Sequence, residues 1–342
     1  MHISEGILTG PSFWATTVAG AAVMAWGGRD MKRFIKEQPE RKPLLGMAGA
    51  FIFLVSLIPI PAYMGTCSHP CGTPLAGILL GPGIGAALAG LSLLLQALLF
   101  AHGGFATLGA NILSLGLGGA AGGWICFKLG RRLGLPLLAA AGLAGLLGDI
   151  LTYIISGSIL GGHLAFFSPH PQYSFSGYLA VIMAAYVPVQ LPIALGEMTV
   201  TGIAVHSIGR QRPEVLEALR VISRTTLVMM LVFGMAVSVL SLSSEALASS
   251  SVSVTKERKS KADKPGSYTG MDEKVNEAMA ESAGAKPHDP YINLEDKGDA
   301  WNAMLLAGGG LAGFVIGRSW HLLFGRPKDA PDRPAAAELM KP

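Results

Sequence analysis

Apolar residues in this chain gather into long runs instead of alternating with polar ones. Runs near 11–27, 44–62, 75–101, 106–127, 135–157, 176–206, 222–242 and 301–324 are each close to or beyond the roughly 20 residues a helix needs to cross about 30 Å of hydrocarbon. The pattern predicts an all-α polytopic membrane protein. Basic residues collect in the links between runs. The first link holds Arg29, Lys32, Arg33, Lys36, Arg41 and Lys42. An excess of Lys and Arg marks the cytoplasmic side, so residue 1 is expected outside. The same rule puts Lys128/Arg131/Arg132, Arg210/Arg212/Arg220/Arg224 and Arg326/Lys328/Arg333 inside. A single span over 75–101 would strand the cluster at 128–132 on the wrong face. Gly81-Pro82-Gly83-Ile84-Gly85 predicts a turn there, because Gly and Pro break helices. On that reading 75–81 is a short piece sheltered by protein and 84–101 returns outward.

The pattern changes late in the chain. Residues 1–212 read as a membrane core, and 213–324 as a two-helix accessory unit around a polar loop, 243–300, rich in Ser, Lys, Glu and Asp. Long loops translocate despite their charge, so this loop is expected outside, and 249–290 are expected to be largely disordered. Residues 325–342 form a polar, Pro-rich tail expected on the cytoplasmic side.

Composition sharpens the class. The chain of 342 residues is 51% hydrophobic and 14% charged, with a mean hydropathy of +0.48, whereas soluble domains carry about 25% charged residues. Residues 1–242 hold 13 Lys/Arg and 8 Asp/Glu, and the last hundred hold 13 and 14. An ordinary soluble enzyme is excluded. The 45 glycines suit close helix packing in a membrane. A net charge of +4, placed in short clusters between apolar runs, gives no reason to expect nucleic acid. Three cysteines are too few for a disulfide framework. No basic stretch precedes the first apolar run, so the chain is expected to start at residue 1 without a cleaved signal. There is no HExxH, GxxxxGK[ST] or GxSxG. Without a P-loop the chain is not itself an ATPase, and a transporter subunit without a catalytic cofactor is expected.

Candidate chemistry collects on the expected outer face. Met1-His2 and Cys67-Ser68-His69-Pro70-Cys71 share that side, and His102 joins them if the chain turns at Pro82. A free amine, the deprotonated His2 amide nitrogen and the His2 imidazole can close two fused chelate rings on one metal. One more imidazole, such as His69, completes four nitrogens. Tetragonal nitrogen sites suit Ni(II) or Cu(II) better than tetrahedral Zn. A solvated loop histidine is the plain alternative. Cys67 and Cys71 can be ligands, a short disulfide or inert small residues. Glu5 can position the N-terminal segment by accepting backbone donors, and Asn111 can support a ligand or cap a helix. Asp149 and Glu197 are the two acids inside apolar runs. Such acids are functional candidates by default, although here a structural role as hydrogen-bonded anchors is favoured. A proton-coupled secondary transporter of divalent cations using both acids is the alternative function. His163 and His170 are expected in an external loop.

These residues also carry a resemblance. Met1-His2-Ile3 with Glu5-Gly6, Cys67-Ser68-His69-Pro70, Ile78-Leu79-Leu80-Gly81-Pro82, Gln96 through Gly104, Thr107 through Asn111, Asp149 through Tyr153, and Gln190 through Ala194 with Glu197 resemble the CbiM/NikM family. Its members are the substrate-binding membrane components of cobalt and nickel energy-coupling factor (ECF) transporters. The resemblance covers about residues 1–212. It implies a seven-span bundle with an outside N-terminus, in a cell membrane. It also implies metal ligation by Met1, His2 and His69, with Co²⁺ or Ni²⁺ as transported ligand. Two ATP-binding subunits and a membrane coupling subunit are the implied partners. The context Ser68-His69-Pro70 leans towards cobalt. The two-helix unit at 213–324 resembles the accessory component CbiN/NikN in layout only. Cys71 departs from the small hydroxyl residue expected between Pro70 and Gly72.

Overall fold

A computed structural model describes residues 2–57, 60–61, 67–100, 102–211, 271–285 and 299–324. The expected span at 222–242, most of the polar loop and the tail 325–342 lie outside the described residues. Among the described residues the regular structure is helical apart from a two-residue antiparallel pairing, Ile60 with Ser68 and Pro61 with Cys67. The described residues include ten α-helices, in order: α1 Gly10–Glu37, α2 Lys42–Leu57, α3 Thr73–Leu80, α4 Pro82–Leu99, α5 Leu108–Asn111, α6 Gly119–Arg132, α7 Leu137–Phe166, α8 Phe175–Gln211, α9 Met271–Ser282 and α10 Asp299–Phe324. A π-helical stretch, Ile112–Gly118, joins α5 to α6. Five helical segments among the described residues are long and apolar enough to cross a membrane: Pro82–Leu99, Leu108–Arg132, Leu137–Phe166, Phe175–Gln211 and Ala303–Trp320.

The expected turn at Gly81-Pro82 is present. Gly81 has a positive φ of 86° and Pro82 starts α4, the position where a missing N–H costs nothing. In an unbroken helix Gly77 and Gly85 would be about 12 Å apart. Instead a Cβ on Gly85 would lie 3.2 Å from the Gly77 nitrogen, so the chain folds back. With eight residues, α3 reaches only about 12 Å and cannot span the bilayer. Its first six residues are all buried, and Gly77 packs its backbone directly on that of Ala120 in α6.

Small residues set the other close helix contacts, as expected where apolar burial alone does not drive helices together. Gly27 of α1 meets Gly83 of α4, Gly20 meets Gly109, and Gly145 of α7 lies against Glu197 and Thr201 of α8. Large apolar side chains instead point outward: Leu91, Leu94, Leu95 and Leu98 on α4, and Val187, Leu191, Leu195 and Ile203 on α8. That arrangement suits a lipid surround. α8 runs unbroken through Pro188 and Pro192, which membrane helices tolerate when neighbours satisfy the freed carbonyls.

Two placements differ from the sequence expectation. His163 sits in the last turn of α7, buried, with Ser12 Oγ 2.6 Å from its Nδ1; the helix continues past the expected end of its run near 157, with Gly161 and Gly162 packed against Tyr178 and Phe175. Within the segment expected to be disordered, 271–285 form α9 and a turn. Ala280 and Ala283 join a buried cluster with Ile3, Ile7, Leu8, Tyr178 and Tyr186. A polar stretch thus orders by docking a small apolar face on the core, which composition alone does not reveal.

Candidate metal centre

The N-terminal segment folds into the bundle. Residues 2–5 are buried, and their backbone polar groups need partners there. Asn111 supplies two: its Oδ1 accepts from Ile3 N at 2.9 Å, and its Nδ2 donates to Ile3 O at 3.3 Å. Thr107 Oγ1 donates to the same carbonyl at 2.6 Å. Glu5 accepts from Ala106 N at 3.1–3.2 Å, at the start of the turn leading into α5. Gly104 lets Glu5 approach, because any Cβ there would overlap it. The π-helical turns begin just after Asn111, and such turns often accompany functional sites.

This clamp sets His2 beside two other histidines. His2 is fully buried, His69 is 4% exposed and His102 is half-buried. The rings of His2 and His102 are 4.2 Å apart, those of His2 and His69 4.9 Å, and those of His69 and His102 5.1 Å. One ring nitrogen from each lies within 4.8 Å of the others. Burial holds the His2 imidazole well below its ordinary pKa, and the His102 ring adds to this. Burial does the same at His69. Neutral imidazole is the form that binds metal.

His69 comes from the loop before α3. Gly72, with φ 67°, caps that helix and turns the chain into it. Glu197 fastens the loop: its two oxygens accept from Cys71 N at 2.9 Å and Gly72 N at 2.8 Å. The Cys71 thiol donates to Asp149 Oδ1 at 3.1 Å, and Gln190 Nε2 donates to Asp149 Oδ2 at 2.6 Å. Cys71 is a free, buried thiol. Cys71, Asp149 and Glu197 form a group of their own, apart from the histidines. The structure therefore gathers His2, His69 and His102, and holds them with Glu5, Asn111 and the two acids. Met1 and the side chains of Cys67 and Ser68 lie outside the described residues.

One contributor has no signal in sequence. Asn276 of α9, fully buried, donates to His2 O at 3.2 Å and accepts from Tyr186 OH at 2.5 Å. His170 N donates to Ala283 O at 3.0 Å just beyond. Asn276→Ala removes the donor to His2 and the acceptor for the Tyr186 hydroxyl, at a cost of about 1–3 kcal/mol. The expected result is a lower melting temperature and, for a divalent ion loaded at the three histidines, dissociation about tenfold faster, the scale of a lost supporting contact. Thermal melting and chelator-competition kinetics read both.

The fold and site define a polytopic helical membrane protein with imidazoles gathered beneath a buried N-terminal segment. The chain belongs to the CbiM family, the cobalt uptake substrate-specific transmembrane region, whose model matches residues 2–215. It is 37% identical over 335 residues to the cobalt transport protein CbiM of Geobacter sulfurreducens, an alignment covering 94% of this chain and 90% of the relative. A putative cobalt transport protein CbiM of Methanocaldococcus jannaschii is 39% identical over 224 residues, covering 65% of this chain and 93% of that one. A crystal structure described as a truncated transition metal transporter superposes with a TM-score of 0.52 at 26% identity, covering 61% of this chain and 98% of that one. The core is thus shared with all three, and the Geobacter alignment also extends through most of the C-terminal unit.

Proposed function

We propose that this chain is the substrate-binding component of an ECF-type transporter, capturing Co²⁺ or Ni²⁺ at the outer face for ATP-driven uptake. The observation that carries this reading is the approach of His2, His69 and His102 within 4.8 Å on a clamped, buried N-terminal segment. The family supports a cobalt cargo. In this reading the Met1 amine and the His2 amide nitrogen join the His2 and His69 imidazoles around the ion. Coordination by an amide nitrogen displaces its proton, so capture releases protons. The remaining hydrogen bonds to Ile3, Glu5 and the His2 carbonyl keep the segment in place as the ion enters. Hydrolysis is the work of two ATP-binding subunits, coupled through a separate membrane subunit. The C-terminal unit 213–324 serves as a CbiN/NikN-like accessory whose helix α9 covers the segment.

The proton-coupled alternative needs Asp149 and Glu197 available to a moving proton or ion. Both instead spend their oxygens on the loop that carries His69 and on Gln190, which favours the anchoring role. Uptake of radiolabelled cobalt separates the two. The proposed function predicts uptake only when the ATP-binding and coupling subunits are co-expressed. Uptake by this chain alone, abolished by a protonophore while cellular ATP is held constant, would contradict it.

A further inference from the structure

The four-nitrogen set proposed above leaves His102 without a role, yet its ring stands closer to His2 than His69 does. His102 Nε2 lies 3.1 Å from His69 Nε2. Two nitrogens bound at right angles to one ion, each at about 2.1 Å, are about 3 Å apart, whereas tetrahedral ligands are about 3.4 Å apart. The observed separation suits neighbouring ligands on one ion. This contact needs an N–H on one ring, and that proton moves to the same ring's Nδ1 when both Nε2 atoms turn to metal.

The backbone fixes this placement. His102 N donates to Gln96 O at 3.3 Å and Phe100 N to the same carbonyl at 2.9 Å, wrapping the chain over the end of α4. Gly103, with φ 77°, then brings the loop against His2: a Cβ there would sit 3.4 Å from His2 Cδ2. His102 is also the least buried of the three histidines, so it stands on the solvent side of the site.

We infer that His102 is a direct ligand of the transported ion, an apical imidazole that selects Co²⁺ over Ni²⁺. This rests on the proposed N-terminal chelate, which supplies the plane to which His102 is apical. Planar four-nitrogen coordination is a geometry of Ni(II) and Cu(II). A planar d⁸ Ni²⁺ ion has a filled orbital along the axis and gains little from a fifth donor. A d⁷ Co²⁺ ion has one electron fewer there and accepts the apical nitrogen. The same imidazole therefore adds a bond for cobalt and almost none for nickel.

The test equilibrates the full-length protein, with its native N-terminus, against equal concentrations of Co²⁺ and Ni²⁺ under anaerobic conditions. Bound metals are counted by elemental analysis, for the wild type and for His102→Ala. The variant is expected to keep one ion per chain while its Co:Ni ratio falls at least about tenfold, equivalent to about 1.4 kcal/mol. His102→Gln, which keeps bulk and polarity, guards against misfolding. X-ray absorption of the cobalt-loaded wild type is expected to show three imidazoles among five nitrogens, and His102→Gln two imidazoles. An unchanged ratio, or two imidazoles in the wild type, overturns the role of His102 and leaves the chelate standing. Failure of the chelate itself has a different signature: no ion retained by the wild type.

Discussion

Four residues placed ahead of Met1 lower the affinity of this protein for Co²⁺ and Ni²⁺ by more than about a hundredfold, beyond the usual loss on removing only the outer partner of a ligand. The extension converts the Met1 amine into an amide and removes one ring of the proposed chelate. It leaves His2, His69 and His102 in the chain, and they retain a weak three-imidazole site of the kind the ring nitrogens outline. A one-residue extension is the wrong test, because an amine two residues before a histidine chelates by itself through both intervening amides. Metal competition against a chromophoric chelator measures the loss. Equal affinity with and without the extension would remove the amine from the site.

Glu197→Gln produces the largest effect on stability. The carboxylate accepts from two adjacent backbone N–H groups, at 2.9 and 2.8 Å, with both residues and Glu197 itself buried. An amide offers one oxygen for two donors and turns an NH₂ towards the other. Losing one hydrogen bond removes about 0.5–1.5 kcal/mol, and a buried donor left without an acceptor costs about 1–3 kcal/mol. A loss of about 2–4 kcal/mol is expected, read as a lower melting temperature of the detergent-solubilised protein. Metal affinity falls with it, because the loop that Glu197 holds carries His69. A variant with unchanged melting but abolished transport would favour a proton-carrying Glu197 over an anchor.

Membrane class, most helix positions and the reversal at Gly81-Pro82 were legible in sequence because their causes are local. Long apolar runs need lipid, and a Gly-Pro pair cannot continue a helix. The chelating potential of Met1-His2 is likewise written in two adjacent residues. Partners distant in sequence were not legible. Glu197 and Asp149 stand out as intramembrane acids, but nothing local says that they hold the backbone and thiol of Cys71. His102, 33 residues from His69, is the exception, because the legible turn at Pro82 already returns it to the side of His2 and His69. Asn276 was the least visible. Helix α9 is polar, and the small side chains of Ala280 and Ala283 give it too weak an apolar stripe to mark it as packed. Its order comes from the surface it docks on. His163 differs because the apolar run was read as ending near 157, whereas α7 continues to Phe166 with Gly161 and Gly162 in contact with its neighbour α8.

The central claim is that the buried N-terminal segment holds the transported ion through His2. Its most direct test is the cobalt content of the full-length chain, purified with an unmodified N-terminus, loaded with Co²⁺ and freed of excess metal, beside His2→Ala treated identically. One cobalt per chain in the wild type and none in the variant is the predicted result. Equal cobalt in both, or none in the wild type, would contradict it.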